Sequence, residues 1–405
     1  MIAVVALIAV AGCAGSVTVA SGHSPAVVDN AGRAPAVLAS SVGTPPARCC
    51  AAIGFDPETR QVVMFGGLGV TGTRGDTWIW NGSYWLRPRL SVAPVTRSFD
   101  SMVFDPTLHA LVMVGGGSNA TGPEVQPDLN ATWLWTGSGW ERRTTAHIPT
   151  GKFATNAFLG GPLAYDEVTR RVVLVTTQGG IHFEACSTQT WTFDGTDWHL
   201  EHPATPLPAM VSAVIDEPQT GHVVAVLGRR QAVVPVGFVG TDCQPGSAAG
   251  RALPTSSTWR WNGSTWGQIS AGTEPDGANL GDGPMSYPAG LNPVAGAAMV
   301  SAELDESLWS WNGSRWSEVP QSSRNGPPLM TTNSMLSIDA SGHVVLFGGV
   351  TQFGGTQNLD TWVWNGLHWR NVVTAATPAP TRIPPPRTQD PSITTPVPLP
   401  TASAS

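Results

Sequence analysis

The chain has 405 residues, only 12% of them charged, and its Gly 46 and Pro 35 mark a turn-rich composition. Its 17 tryptophans argue against disorder, because disordered chains are poor in aromatics. The formal net charge of −7 comes with no dense Lys/Arg run, so the clustered basic surface that displaces counterions from nucleic acid is missing and no such partner is expected.

Ile2 to Val10 is an unbroken apolar and small stretch, too short to cross a bilayer as a helix but long enough for a signal-peptide core. It runs into Val10-Ala11-Gly12-Cys13, which resembles the bacterial lipobox, although a positively charged n-region is missing. That resemblance implies lipidation of Cys13 and anchoring to the outer face of the cell membrane. The alternative is an ordinary secretory signal cut near Ala14. Residues 14–46, rich in Ala, Ser, Val and Gly, read as a flexible tether, and residues 374–405, rich in Pro, Thr and Ser, as an extended tail. No other segment is long and apolar enough to span a membrane, so membrane contact is expected through the N-terminal lipid alone.

Between these ends the chain repeats one phrase, Trp-x-Trp-Asn-Gly-x-x-Trp, at Trp78–Trp85, Trp133–Trp140, Trp191–Trp198, Trp259–Trp266, Trp309–Trp316 and Trp362–Trp369. The second copy has Thr136-Gly137, and the third has Phe193 and Asp194-Gly195. Alternation places both leading aromatics on one face of a strand, Asn-Gly or Asp-Gly supplies the positive φ angles of a tight turn, and the closing Trp begins the return strand. A second hairpin precedes each phrase. The clearest are Ile53 to Gly67 around Asp56-Pro57 and Val103 to Gly116 around Asp105-Pro106, with related versions at Asp166, Asp216 and Asp339. Asp-Pro fits the first two positions of a type I turn. The stretch from Met285 to Asp305 has no Asp-turn and no Gly-Gly pair, yet its Trp hairpin is intact.

Two hairpins per repeat make a four-stranded sheet, and six such sheets bury their faces only when arranged radially. At this point the residues resemble the kelch and galactose-oxidase-type propellers, with a Gly-Gly pair after strand two and an aromatic-turn-Trp in strands three and four. The resemblance implies an all-β, six-bladed β-propeller over residues 47–373. Blades are expected at 47–92, 95–146, 150–203, 207–270, 283–320 and 328–373, each in phase with the repeat. Ring closure then rests on packing between blades one and six, unless residues 34–41 add a strand to blade six.

Strand order puts the turns within each hairpin on one end of the disc, and the longer, irregular connections between strands two and three on the other. Variable loops on a rigid scaffold carry recognition. Arg48 and Arg97 each precede a strand-one Asp by eight residues and so share a register at the entrance of adjacent innermost strands; Lys152 enters blade three nearby. These three form a candidate cationic rim for a carboxylate or phosphate, or alternatively pair with neighbouring acids and tie blades together. The radical copper site of the galactose-oxidase family resembles a set of two Tyr, two His and a Cys cross-linked to one Tyr. Here Tyr84, Tyr165 and Tyr287 fall inside predicted strands and no matching set can be placed, so no cofactor is expected. His182, Glu184, His199 and His202 make the best metal guess, but residues three apart on a strand point to opposite sides, and no metal is expected. Asn81, Asn262 and Asn312 read as glycosylation sequons but are better explained as turn chemistry.

In an oxidising compartment Cys186 and Cys243, placed in the two-to-three loops of adjacent blades, are expected to form a disulfide. Cys49 and Cys50, adjacent at the start of blade one, are expected to stay reduced. The functional reading is an exported, monomeric binding or scaffold module that presents its long-loop face to a glycan, wall polymer or protein. The alternative, from another class, is a carbohydrate-active enzyme such as a sugar-acid isomerase, lyase or oxidase.

Overall fold

The computed structural model describes residues 38–117, 127–150, 162–179, 185–208, 211, 213–227, 256–271, 289–292, 297–301, 308–319, 331–332, 334–351 and 360–372. Almost everything described is antiparallel β-structure; the single helical element among the described residues is a 3-10 turn at Pro127–Asn130. Each repeat forms one sheet whose strands follow chain order from the inner to the outer edge. In the second repeat these are Ser98–Asp105, Ala110–Gly117, Thr132–Trp135 and Trp140–Arg143. Repeats three, four, five and six give four-stranded sheets in the same manner. The first repeat departs from the expectation of four strands throughout. Its sheet has five, because Leu38–Gly43 pairs antiparallel with the outer strand Trp85–Arg89. Residues 38–43 therefore leave the expected tether and cover the edge of the first sheet, not that of the sixth.

The core is divided into layers between neighbouring sheets. Val63, Phe65 and Ile79 of the first repeat pack with Leu111, Trp133, Trp135 and Trp140 of the second. The same arrangement joins each following pair, and Met335, Val345 and Phe347 of the sixth repeat pack with Met64, Trp78, Trp80 and Trp85 of the first. Packing between the first and last repeats thus closes the ring. The indoles of one repeat fill the face of the repeat before it, as their alternation on one strand face requires.

A hydrogen bond repeats at these layers. The closing Trp of a hairpin donates its indole N–H to the Thr that opens the hairpin of the preceding repeat. Trp140 donates to Thr77 (2.9 Å), Trp198 to Thr132 (2.8 Å), Trp266 to Thr190 (2.9 Å), Trp316 to Thr258 (2.8 Å) and Trp85 to Thr361 (2.9 Å). Each bond spans two sheets, and the last spans the closure. At the corresponding place in the fifth repeat stands Leu308, which packs with Trp369.

The turns depart from expectation in detail. Trp80 pairs directly with Trp85, so Asn81 to Tyr84 form the whole loop, and Tyr84 sits in it rather than in a strand. Of the two turn residues only the Gly takes positive φ (Gly82, +92°). Asn81 Oδ1 instead accepts the backbone N–H groups of Ser83 and Tyr84 (both 3.0 Å), and Asn262, Asn312 and Asn365 act likewise. A short amide side chain that satisfies two backbone donors makes a tight two-residue turn unnecessary. In the inner hairpins Asp56, Asp105 and Asp166 accept backbone N–H groups of the turn that follows them. In the fourth repeat this position belongs to Glu217, paired with His222, and not to Asp216 as the sequence reading had it. In the fifth repeat the inner strands pair up to Asn292 and Ala297, and the residues between them lie outside the described residues.

Candidate functional site

The inner strands enter their sheets at the end that carries the longer connections. There the segment Gly67 to Asp76 folds back over the mouth as a small hairpin, Leu68–Gly69 against Gly72–Thr73. On one side Cys49 and Leu68 exchange backbone hydrogen bonds (3.1 and 2.8 Å); on the other, Arg97 N–H donates to Arg74 O (2.9 Å). The hairpin therefore bridges the entrances of the first and second repeats.

Arg48 and Arg97 lie beneath it, both 0% exposed. Arg48 donates to both oxygens of Asp76 (2.7 and 2.9 Å), to Gly66 O (2.8 Å) and to Pro46 O (3.0 Å). Arg97 donates to Gly115 O (3.0 Å), Leu129 O (3.3 Å) and Val95 O (3.2 Å). The bonds to the glycine carbonyl and to the carbonyl two residues back match between the two. Of the two readings the sequence leaves open for these guanidinium groups, their burial and protein partners match the structural one: they face inward and hold the loops of their own repeats, Arg48 through the carboxylate of Asp76. Their backbones do the linking. Gly349 N–H donates to Arg48 O (3.0 Å) and Gly67 N–H to Arg97 O (2.8 Å), so the Gly-Gly pairs of the sixth and first repeats each grip the next repeat. The first glycine of each pair must be glycine. A Cβ would stand 2.6 Å from Arg97 O at Gly66 and 2.3 Å from Arg48 O at Gly348, where φ is +71° and +72°.

Two carboxyls at this end are shifted in opposite directions. Burial pushes against ionisation of Asp76, but the Arg48 hydrogen bonds and charge outweigh it and hold the carboxyl below its ordinary value. Asp100, three residues after Arg97, has burial as its dominant influence. It is pushed up to about 7, with the Arg97 charge opposing the rise. Neither Asp100 oxygen has a hydrogen-bond partner within normal distance, and the residue is 6% exposed. A buried acid with a proton available near neutrality is the kind of group that sites use for proton transfer.

The remaining site expectations fall elsewhere. Lys152, Cys13, Cys243, His182, Glu184 and Tyr287 lie outside the described residues. Cys186 belongs to the strand Ala185–Phe193 and not to a loop, because the strands of the third repeat continue well past the expected bounds; nothing is described of its side chain. Cys49 is buried and Cys50 half-buried, with Cys50 at a positive φ of 62°. His199 pairs with Asp194 of its own hairpin (2.9 Å), and His202 is exposed. Among the described residues no cluster of three or more His, Cys, Asp and Glu could hold a metal. His109 and His222 lie at the short-turn end and reach across to the preceding repeat, to Glu58 and Asp166.

No family model matches the chain, and no curated protein sequence matches it. Among solved structures, that of YjhT is similar with a TM-score of 0.47 at 13% identity, over 79% of this chain and 95% of that one. A fungal alcohol oxidase of the AA5 family, in complex with copper, is similar with a TM-score of 0.42 at 12% identity, over 78% of this chain and 62% of the oxidase. At such identities neither carries an activity to this chain. On its own sheet order, interleaved cores and closure between first and last repeats, the chain is an all-β propeller.

Proposed function

We propose that the chain is a six-bladed kelch-type propeller acting as an exported binding or scaffold module, anchored through Cys13 and presenting its long-loop face to a glycan, wall polymer or protein. The asymmetry between the two ends carries this reading. At one end the turns are short and built alike, each tied by an Asx-type cap or a side chain reaching a neighbouring repeat. At the other end the connections differ from repeat to repeat, from Phe65–Thr77 in the first to Leu227–Ser257 in the fourth. Recognition is built where a fixed scaffold holds unlike loops. A screen of glycans and wall fragments, run with and without divalent metal, tests the proposal. Saturable binding supports it, and absence of binding across the screen counts against it.

Asp100 favours one second reading, a carbohydrate-active enzyme such as a sugar-acid isomerase, lyase or oxidase. A protonated carboxyl beside an arginine at the mouth suits transfer of a proton to a bound sugar acid. Turnover of a sugar acid that disappears in Asp100→Asn would favour this reading over the binding module.

A further inference from the structure

The hairpin over the mouth carries more positive charge than the protein around it neutralises. Asp76 is acted on by the guanidinium groups of both Arg48 and Arg87, and it acts in turn on Arg74. Its two oxygens are already occupied, one by Arg48 and the other by Arg48 and the indole N–H of Trp78 (2.8 Å). Arg87 stands 5.9 Å from the centre of the Trp78 ring and is exposed. Arg74 has its Nε buried with no hydrogen-bond partner, and no ion pair among the described residues. The Arg74 guanidinium lies against Gly69, where a Cβ would come within 2.4 Å of Nε and 2.6 Å of Nη2. A glycine at 69 is thus what makes room for the arginine.

Three guanidinium groups around one carboxylate leave a local excess of two positive charges in a chain whose net charge is −7. An arginine whose planar fork has no internal partner is suited to receive two oxygens of one ligand group. We infer that Arg74, assisted by Arg87 across the Trp78 ring, binds an oxyanion group, a carboxylate or a phosphate, of the ligand that the long-loop face recognises. The inference rests on the reading of that face as the recognition surface and names the chemistry it selects. Burial, and next the charge of Arg48, lower the pKa of Arg74, with Asp76 opposing; the charge of an arriving anion acts in the same sense as Asp76. Arg74 therefore gains from binding what Arg48 already has from Asp76.

Isothermal titration of the full chain with inorganic phosphate, with D-glucuronate and with uncharged glucose tests the inference. One of the two anions should bind saturably while glucose does not, and which anion binds identifies the group. Arg74→Met should weaken that binding at least ten-fold, whereas Arg315→Gln at the opposite end should leave it unchanged. The melting temperature of Arg74→Met should stay near that of the wild type, since the side chain has no ion pair to lose. If this variant fails to fold, Arg74→Lys is measured instead; it keeps the charge without the fork and should also bind more weakly. Absence of binding by both anions, or equal binding by wild type and variant, overturns the assignment. A neutral glycan bound equally by both proteins would overturn it while leaving the binding-module reading intact.

Discussion

Replacing Thr77 by Val tests whether the indole-to-threonine bonds hold neighbouring repeats together. The donor, Trp140 Nε1, lies 2.9 Å from Thr77 Oγ1, with Trp140 4% and Thr77 4% exposed, so water does not replace the hydroxyl. Valine keeps the branched shape and removes only the acceptor. The loss is then the cost of a buried donor left unsatisfied, about 1–3 kcal/mol. Unfolding entropy scales at about 2.1 cal/mol/K per residue, so for the roughly 230 described residues each kcal/mol moves the midpoint by about 2 °C. The expected fall is about 2–6 °C by scanning calorimetry. Thr77→Ser, which keeps a hydroxyl, should lose less than half of that. Thr77 and Thr190 serve different junctions, so Thr77→Val combined with Thr190→Val should give close to the sum of the single effects. A Thr77→Val protein melting within half a degree of the wild type, or a Thr77→Ser protein as unstable as Thr77→Val, would refute the reasoning.

Gly348→Ala should destabilise the closure by more than about 2 kcal/mol in urea unfolding, since a Cβ there meets Arg48 O at 2.3 Å and φ is +72°. Gly82→Ala, also at positive φ but with open space around it, should cost less. Trp135→Ala should cost about 3–5 kcal/mol, as for a large indole that is 0% exposed; several such variants keeping wild-type midpoints would remove these residues from the core. The raised pKa of Asp100 means that the folded state keeps a proton the unfolded chain releases. Its effect is small below about pH 4, becomes destabilising as pH rises from about 4 to 7, and is constant above. Asp100→Asn should therefore be more stable than wild type at pH 8 and nearly equal at pH 4; equal stability gaps at both pH values would show that Asp100 does not titrate in that window.

The fold was legible because one large residue type, repeated in phase, fixes both strand direction and facing. Trp-x-Trp places two indoles on one face, and only a neighbouring sheet can cover them. The Thr before the first Trp is equally visible, at 77, 132, 190, 258 and 361, and its recurrence beside the Trp hairpin marks the inter-repeat bond. Other features depend on distances a linear reading does not contain. Asp216 and Glu217 are neighbours in sequence, and only the pairing with His222 shows which one stands at the turn; a slip of one residue reverses the face. Which of its two readings Arg48 takes depends on acceptors, Gly66 O and Asp76, that come from the far side of a hairpin.

Recurrence separates scaffold from site in this chain. Arg48 and Arg97 recur in register and make matching bonds, so assembly of the disc accounts for both. The same is true of the Trp–Thr bonds, the Asn and Asp caps and the Gly-Gly pairs: each recurs, and each has a structural partner. Residues that occupy a repeated position with unrepeated chemistry have no such explanation. At the place where a Cβ on Gly67 would meet the Ala51 methyl, a Cβ on Gly116 would meet Asp100. An alanine fills that space at no electrostatic cost, whereas burial of a carboxyl there raises its pKa to about 7. Arg74 likewise has its Nε buried without a partner. Both belong to the entrance shared by the first two repeats and are linked through Arg97, whose amide bonds Arg74 O and whose charge acts on Asp100. An anion drawn to Arg74 would thus arrive at the end of the disc where burial raises the pKa of Asp100 to about 7.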